Sequence, residues 1–328
     1  MPLFDLPVAE LRAWRPDVAE PADFDEFWAV TLAGAREHDL GLEVRRVDAG
    51  LRHVEVRDVT FAGFGGHPVK AWYARPAGVA DDLPVVVQYQ GYGGGRGLAH
   101  ERTLWANAGY AYLFMDTRGQ GATWGSGGHT PDPVGHGPAV PGSMTRGALD
   151  PYDHYFRRLY TDAVRAVEAA RALPGVDAGT VAVTGTSQGG ALALVAAGLV
   201  PDLAAVMPDV PFLCHVRRGA EIAPTGPYAE VARYLSVHRD RVDEVFRTFS
   251  YLDAVNFARR AAAPALVSVG LMDSTCPPST VYAAVNHYGS RAGARPGVEV
   301  VEYPFNDHEG GQAHQEARQL RWLADLLG

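Results

Sequence analysis

Residues 180–190 read Thr-Val-Ala-Val-Thr-Gly-Thr-Ser-Gln-Gly-Gly, and residues 191–199 continue as Ala-Leu-Ala-Leu-Val-Ala-Ala-Gly-Leu. The first run is β-branched and apolar, which is typical of a buried strand, whereas the second is typical of a helix. Between them lies the pattern G-x-S-x-G, which in this context predicts a sharp strand-to-helix turn that exposes the Ser187 hydroxyl. Its glycines leave room for strand and helix to approach each other. An ordinary strand-to-helix turn is the alternative, because the pattern alone is common.

The partners that Ser187 would need can be placed by chain order. A serine hydroxyl is a poor nucleophile until a base takes its proton, so a histidine and a carboxylate are required. With this type of turn the order is serine, acid, histidine, each following a strand. His308 lies between the last predicted strand, 298–303, and the last predicted helix, and Asp273 follows the strand predicted at 265–270. We therefore expect a catalytic triad in which Asp273 orients His308.

Two backbone NH groups are expected to stabilise an oxyanion. One belongs to Gln188, at the N-terminus of the helix after the turn, and the other to Tyr92, in the glycine-rich loop 91–95. Gln90 precedes this loop at a position where many hydrolases have histidine. Because the donors are backbone groups, this difference is expected to change loop contacts and to leave the mechanism intact.

Several other residues face the same predicted edge of the sheet. Arg118, in the sequence Arg118-Gly119-Gln120, could bind an anionic substrate or pin neighbouring loops, and we favour the second role. Asp307 and Glu309 adjoin His308 but are poor triad candidates, because sequence neighbours seldom fold back onto the same ring; Glu309 is expected to hold its loop. Candidate walls of an acyl pocket are Tyr92, Trp105, Trp124 and Phe212, each of which could instead belong to the core.

Length and charge restrict the class of protein. The chain has 328 residues, enough for one α/β domain that buries roughly 75% of its unfolded surface. It carries 29 Lys and Arg against 38 Asp and Glu, a net charge of -9, without a run of like charges. This balance argues against a nucleic acid or an anionic membrane as partner. We expect a single domain over residues 1–328.

Cysteine usage and the N-terminus indicate the compartment. The two cysteines, Cys214 and Cys276, show no metal-ligand spacing and no disulfide framework, so neither a metal nor another cofactor is expected. Residues 1–14 lack a basic region followed by an apolar one, and no apolar stretch reaches about 18 residues. We therefore predict a cytoplasmic protein.

Strand and helix patterns alternate, which predicts a mainly parallel, doubly wound sheet flanked by helices. A helix capped by Asp23 is expected to bury the stripe Phe24, Phe27, Trp28, Thr31, Leu32 and Ala35. The segments 51–61 and 69–75 predict an antiparallel hairpin, and the segments 84–90, 110–116 and 203–207 predict further strands. Helices are predicted at 101–108, at 159–170 and at the C-terminus, the last with Ala313, Ala317, Leu320, Ala324 and Leu327 on one face.

Three segments are expected to depart from this alternation. Residues 1–50 form an N-terminal extension, and residues 211–260 a helical insertion over the sheet. From 119 to 150 periodicity disappears among glycines and Pro131, Pro133, Pro138 and Pro141. A stretch this long without secondary structure is usually a functional loop or an interface element, so we expect it near the site or at a subunit contact.

The motifs together resemble carbohydrate esterase family 7, the acetyl xylan esterase and cephalosporin-C deacetylase family of the α/β-hydrolase superfamily. The resemblance rests on Arg118-Gly119-Gln120, Gly185-Thr186-Ser187-Gln188-Gly189 and His308-Glu309, in that family's order and spacing. Asp273 in the sequence Gly-Leu-Met-Asp-Ser-Thr-Cys-Pro-Pro-Ser fits its acid loop. The N-terminal residues Met1-Pro2-Leu3-Phe4-Asp5-Leu6-Pro7 and Asp23-Phe24-Asp25-Glu26-Phe27-Trp28 are also similar.

The resemblance implies an α/β-hydrolase fold and a serine esterase that needs no metal. Its substrates would be short acyl esters of sugars, including acetylated xylo-oligosaccharides, and cephalosporin C. It also implies a homo-oligomer, a ring-like hexamer that encloses the active sites. A small-substrate peptidase or thioesterase with the same triad remains the alternative enzyme, because a triad sets acyl transfer and not the leaving group. A binding protein without turnover is the alternative from another class.

Overall fold

One mixed sheet forms the centre of the molecule. The computed structural model describes residues 3–135, 141–293 and 296–328, so Met1, Pro2 and Pro138 of the features above lie outside the described residues. The strands are β1 Glu43–Val47, β2 Val54–Ala62, β3 Pro68–Pro76, β4 Leu83–Tyr89, β5 Ala111–Met115, β6 Val176–Thr186, β7 Ala205–Asp209, β8 Ala265–Gly270 and β9 Val298–Tyr303. Their spatial order is β1-β2-β3-β5-β4-β6-β7-β8-β9.

The sheet is parallel where it carries the site. Strands β1, β2, β3 and β5 pair antiparallel, whereas β5, β4, β6, β7, β8 and β9 form a continuous parallel block. The central strands are apolar on both faces because helices cover both sides, as the continuous valine runs predict. The predicted mainly parallel, doubly wound sheet is therefore confirmed.

Helices surround this sheet on both faces. They are α1 Val8–Ala13, α2 Phe24–Arg36, α3 Leu104–Asn107, α4 Tyr155–Arg171, α5 Gln188–Leu199, α6 Val216–Ile222, α7 Tyr228–Val237, α8 Val242–Ser250, α9 Ala254–Ala258, α10 Pro278–His287 and α11 Gln312–Leu327. Helix α5 follows the sharp turn at residues 185–189, called the elbow below; it is buried almost throughout and packs between β6, β7, α4 and α9. Within the described residues, no helix is both long and apolar enough to cross a bilayer.

Helix α2 matches its predicted stripe but not its predicted cap. All six stripe residues, from Phe24 to Ala35, are buried. Asp23 is the N-cap residue, yet its side chain accepts no hydrogen bond from the helix backbone. Its Oδ1 instead accepts the Tyr251 hydroxyl proton at 2.8 Å. Asp23 therefore ties α2 to the segment after α8 rather than capping its own helix.

The predicted apolar row of α11 is only partly covered. Ala317, Leu320 and Leu327 are half-buried and Ala313 and Ala324 are exposed, whereas the fully buried side chains are Gln315, Gln319 and Leu323. Gln319 donates to Asp209 Oδ2 at 2.8 Å, which is why the helix turns a polar residue toward the sheet. Apolar periodicity alone could not show that a carboxylate lies on the sheet surface at this point.

The three irregular segments take different forms. The N-terminal extension contains α1 and β1, neither of which was predicted, and α10 was also unpredicted. The described parts of 119–150 contain only turns and bends, as expected, while 211–260 holds α6 to α9. The predicted helix at 101–108 is reduced to the four residues of α3. That the whole chain is one domain stays a prediction.

Candidate active site

Ser187 occupies the sharp turn between β6 and α5. Its backbone has φ 59° and ψ -115°, a conformation that is strained for any residue other than glycine. A Cβ on Gly185 would lie 2.4 Å from the Gly189 carbonyl carbon, and one on Gly189 would lie 2.3 Å from the Tyr89 oxygen. Both glycines are therefore required by close backbone approach. The Ser187 NH donates to the Asp209 carbonyl at 2.9 Å, which fastens the turn to the end of β7.

His308 and Asp273 form a hydrogen-bonded pair. His308 Nδ1 lies 2.8 Å from Asp273 Oδ2, and the Asp273 side chain is fully buried. The other carboxylate oxygen accepts the backbone NH groups of Thr275 and Cys276, each at 2.8 Å. Three hydrogen bonds thus fix the carboxylate. Since Nδ1 carries the proton in this arrangement, Nε2 is left as the basic nitrogen of the ring.

Cys276 connects this pair to the serine. Its Sγ, a carboxylate oxygen of Asp273 and a ring nitrogen of His308 lie within 4.8 Å of one another. Burial and the Asp273 charge raise the pKa of the Cys276 thiol well above its usual range, and a hydrogen bond with the Ser187 side chain acts in the opposite direction. Asp273, His308 and Cys276 are therefore brought together, and the effect of Ser187 on the thiol pKa indicates that the serine side chain lies close to Cys276.

The loop after β4 lies against the elbow. Among the described residues, the backbone NH groups of Tyr92 and Gln188 donate no hydrogen bond, so both are free to bind an oxyanion. Gln90 closes this loop on itself, because its Nε2 donates to the Gly95 carbonyl at 2.7 Å and its Oε1 accepts the Gly91 NH at 2.8 Å. Glutamine at position 90 thus has a defined contact role in the loop.

Gln120 joins the two halves of this region. Its Oε1 accepts the Gly93 NH at 2.6 Å, and its Nε2 donates to Gln188 Oε1 and to the Tyr155 hydroxyl, both at 2.9 Å. Gln188 Nε2 in turn donates to the Gln90 carbonyl at 3.2 Å. One side-chain amide therefore holds the loop of one candidate oxyanion donor against the residue that supplies the other.

Arg118 adjoins the hydrogen bonds of Gln120 through Tyr155 and is completely buried. Its Nε and Nη2 donate to the two carboxylate oxygens of Asp162 on α4, at 2.5 and 2.7 Å, and its Nη1 lies 3.3 Å from Asp132. Burial alone would lower the pKa of Arg118, but these carboxylates raise it above its ordinary value. The Tyr155 hydroxyl donates to the Arg118 carbonyl at 2.6 Å. These contacts support a role in pinning loops, and the guanidinium has no open face for a substrate anion.

Gly119 and Glu309 stand at two further turns. Gly119 has φ 62°, and a Cβ there would lie 2.8 Å from the Asp132 Cβ. The Glu309 carboxylate accepts a hydrogen bond from the Asn306 amide across the His308 turn. Asp307 accepts the Ser274 NH at 3.0 Å, so it braces the acid loop rather than the imidazole.

The four candidate pocket residues separate into two kinds. Tyr92 is half-buried and Trp124 is 47% exposed, with its indole NH donating to the Tyr92 carbonyl at 2.7 Å. Phe212 is buried behind Tyr92, with ring centroids 6.2 Å apart. Trp105 is 1% exposed in the core between α3 and the sheet, where it packs against Tyr110. Trp105 also lines a small cavity with Thr186 and Glu309, so its role as a pocket wall stays a prediction.

Two residues near the site were missed by sequence reasoning. Cys276 was considered for disulfide and zinc patterns and quoted as part of the acid loop, but its place beside His308 and Asp273 was not recognised. Glu230, on α7, accepts the Tyr92 hydroxyl proton, with both carboxylate oxygens 2.9 Å away. No local pattern could reveal this contact, since the two residues are 138 positions apart.

A strained serine at a strand-to-helix turn, a histidine paired with a buried aspartate, and a parallel sheet that carries both define an α/β-hydrolase. The family model described as acetyl xylan esterase (AXE1) matches residues 1–326. The chain belongs to the acetyl xylan esterase family, and it is a carboxylic ester hydrolase.

Individual relatives agree with this assignment. The acetyl xylan esterase from Paenibacillus sp. R4 is 38% identical, with a TM-score of 0.90 over 98% of this chain and 99% of that one. Acetyl xylan esterase 1 from Thermoanaerobacterium sp. JW/SL YS485 is 30% identical, with a TM-score of 0.89 over 99% and 100% of the two chains. The acetyl esterase Axe7A of Xylanibacter ruminicola is 29% identical over 315 residues, 94% of this chain and 68% of that protein.

Proposed function

We propose that this enzyme removes acetyl and other short acyl groups from sugar hydroxyls, acetylated xylo-oligosaccharides in particular, through an acyl-enzyme on Ser187. The observation that carries the proposal is the 2.8 Å pair of His308 Nδ1 and Asp273 Oδ2 beside the strained serine turn. Relatives named for acetyl xylan esterase activity support the substrate class.

In the first half of the reaction Ser187 Oγ attacks the ester carbonyl carbon. Its proton passes to His308 Nε2, and the carbonyl oxygen becomes an oxyanion that accepts hydrogen bonds from the NH groups of Tyr92 and Gln188. Asp273 stabilises the imidazolium without taking its proton. The tetrahedral intermediate then breaks the bond to the sugar oxygen, which leaves with the proton that His308 returns.

In the second half, water replaces the sugar. His308 removes a proton from water, the resulting oxygen attacks the acyl carbon, and Ser187 leaves as the alcohol after His308 protonates it. As proposed pocket walls, Tyr92 and Trp124 would limit the length of the acyl chain; their mutual contact and the partial exposure of Trp124 support this. The acetoxymethyl ester of cephalosporin C carries the same acetyl group and belongs to the proposed substrates.

The proposal is tested by hydrolysis of p-nitrophenyl esters from acetate to octanoate. We expect the rate to be highest with acetate and to fall with chain length, and Ser187→Ala to lower kcat by about 10⁴-fold or more. Ser290→Ala, at an exposed serine, is the matched control and should behave like the unmodified enzyme. Near-normal turnover by Ser187→Ala would refute the acyl-enzyme.

The substrate class needs a second measurement. Release of acetate from acetylated xylo-oligosaccharides and from cephalosporin C is compared with cleavage of an aminoacyl p-nitroanilide and an acetyl thioester at equal concentration. We expect the acetylated sugar to have the highest kcat/KM. A preference for the amide or the thioester would instead assign the triad to peptidase or thioesterase chemistry.

A further inference from the structure

Resting on the proposed function, we propose that Glu230 is a positioning residue of the oxyanion site, which holds the Tyr92 side chain so that the Tyr92 NH points at the reacting carbonyl oxygen. Glu230 lies on α7 and Tyr92 in the loop after β4. The Tyr92 hydroxyl donates to the carboxylate, whose two oxygens are each 2.9 Å away. The contact joins the helical insertion to the candidate oxyanion loop.

Glu230 also binds the irregular segment 119–150 next to the Tyr92 hydroxyl. Its Oε2 accepts the Met144 NH at 3.1 Å, and the Ser143 NH donates to the Tyr92 hydroxyl oxygen. The irregular segment 119–150 and the insertion 211–260 therefore meet through one carboxylate and one phenol. A Cβ on Gly142 would lie 2.2 Å from the carboxylate oxygens, so the backbone there closes tightly over Glu230.

The Tyr92 loop needs such anchors because its neighbours are glycines. Gly91, Gly93, Gly94 and Gly95 surround Tyr92, and Gly93 has φ 81°, so the loop backbone has little conformational preference of its own. The direction of the Tyr92 NH is then set by what holds Tyr92. Its ring packs against Phe212, its carbonyl accepts the Trp124 indole NH, and its hydroxyl is held by Glu230.

The charge at Glu230 is unusual for a residue that only supports the fold. The residue is 6% exposed, and among the ion pairs of the described residues none includes it. Burial raises the pKa of Glu230, while the Met144 NH and the Tyr92 hydroxyl act in the opposite direction. Glu230→Gln removes the buried charge but leaves one acceptor oxygen in place of two, so the two effects on stability oppose each other and the unfolding midpoint should change little. A loss of turnover well below that midpoint would then come from orientation.

The experiment compares Glu230→Gln, Tyr92→Phe and the double variant with p-nitrophenyl acetate. Loss of one oxyanion donor lowers kcat by about 10² to 10³. Misorientation of a donor that is still present should lower it less, by about tenfold to 100-fold, with KM changed by less than about threefold. The double variant should be no slower than the slower single variant, because both changes break the same contact. Tyr288→Phe, whose buried hydroxyl donates to the Ala263 carbonyl, is the matched control for loss of a phenol.

A second readout separates positioning from a structural role. A simple alkylboronic acid forms a tetrahedral adduct with the serine, so its inhibition constant should rise in each variant by the factor by which kcat/KM falls. Thermal unfolding midpoints should stay well above the assay temperature in both variants, with Tyr92→Phe the lower of the two because the Glu230 carboxylate and the Ser143 NH lose the phenol. Lower midpoints with unchanged boronic acid inhibition would assign Glu230 to the scaffold and overturn the inference.

Failure of this inference is distinguishable from failure of the proposed function. If Ser187→Ala is inactive while Glu230→Gln and Tyr92→Phe keep full kcat, the acyl-enzyme stands and only the positioning role is refuted. If Ser187→Ala stays active, the proposed function fails. Should Glu230→Gln not fold, Tyr92→Phe, which removes the same hydrogen bond from the other side, decides the question by the same two readouts.

Discussion

Asp273 and Asp307 show how two carboxylates close in space to one histidine loop acquire different roles. Asp273 is fully buried and accepts from His308 Nδ1, whereas Asp307, next to His308 in sequence, accepts the Ser274 NH. A backbone turn at the histidine directs adjacent side chains away from its ring. The sequence argument that favoured the distant carboxylate over the adjacent one agrees with these contacts.

Asp273→Asn should abolish most activity without unfolding the protein. The amide cannot stabilise the imidazolium and favours the wrong ring tautomer, so we expect kcat to fall by about 10⁴. The comparison is Asp307→Asn, which should lower kcat less than about tenfold because it only weakens the acid loop. Steady-state kinetics on p-nitrophenyl acetate measure both. Equal losses in the two variants would contradict the assignment of Asp273 as the triad acid.

For single residues, the sequence could not predict hydrogen bonds to partners that are distant along the chain. Gln120 was recognised only as part of a motif, yet it bridges Gly93 and Gln188, residues that lie on two other strand ends. Glu230 had no signal at all, since a single glutamate on an amphipathic helix resembles any solvated residue. Such roles depend on which strand ends become neighbours, and that is set by the order of strands in the sheet.

At the scale of elements, the contact between the end of β4 and the start of α5 depends on Gly189. A Cβ there would lie 2.3 Å from the Tyr89 carbonyl oxygen, so Gly189→Ala must push strand and helix apart. We expect it to lower the free energy of unfolding by about 2 kcal/mol or more. Gly34→Ala in α2, where a Cβ meets nothing within 4 Å, should raise it by about 0.5 to 1 kcal/mol. Urea unfolding measures both, and a neutral Gly189→Ala would contradict the close approach.

The pairing of Arg118 with α4 is the second element-scale contact to test. Arg118→Met leaves Asp162 buried without its cation, which should lower the free energy of unfolding by about 3 to 5 kcal/mol. Arg36→Met removes the half-exposed pair with Glu168 and should lower it by less than about 1 kcal/mol. Chemical denaturation of both variants compares the pairs directly. If both variants lost a similar free energy of unfolding, burial would not make the Arg118–Asp162 pair more important for stability than the Arg36–Glu168 pair.

Elements with strong local periodicity were predicted well, and weakly patterned ones were not. The stripe of α2 and the bounds of β8 and β9 follow from apolar spacing alone. Strand β1 reads Glu-Val-Arg-Arg-Val and has no buried residue, so only its pairing with β2 makes it a strand. Helix α11 faces the sheet with two glutamines because Asp209 and Tyr303 offer partners there.

At the scale of the whole molecule, buried carboxylates link stability to pH. Burial raises the pKa of Asp209 to about 7 and that of Asp253 to about 6. An unfolded aspartate loses its proton near pH 4, so between about pH 4 and 7 the folded state binds more protons than the unfolded state. These groups therefore contribute stability at low pH that is lost as the pH rises toward 7.

Asp209→Asn should remove much of this dependence. We compare the free energy of unfolding of the variant with that of the unmodified enzyme at each pH. The difference, variant minus unmodified, should increase by about 2 to 4 kcal/mol from pH 4 to pH 8. The amide oxygen of the new asparagine can still accept from Gln319, so the contact with α11 is retained. Asp240→Asn, at an exposed carboxylate, is the control. Urea unfolding at both pH values tests this, and parallel curves for variant and unmodified enzyme would contradict it.

The chain by itself determined the features that depend on local pattern and order. These are the elbow, the succession of apolar strands, the positions of Ser187, Asp273 and His308 after three of them, and hence the family. Tertiary structure alone decided which residues anchor the Tyr92 loop, how deeply Trp105 is buried, and which side chains of α11 are fully buried. The physical reason is that periodicity reports the environment of a residue averaged over one element, whereas a hydrogen bond such as that of Tyr92 with Glu230 requires two distant segments to meet at 2.9 Å.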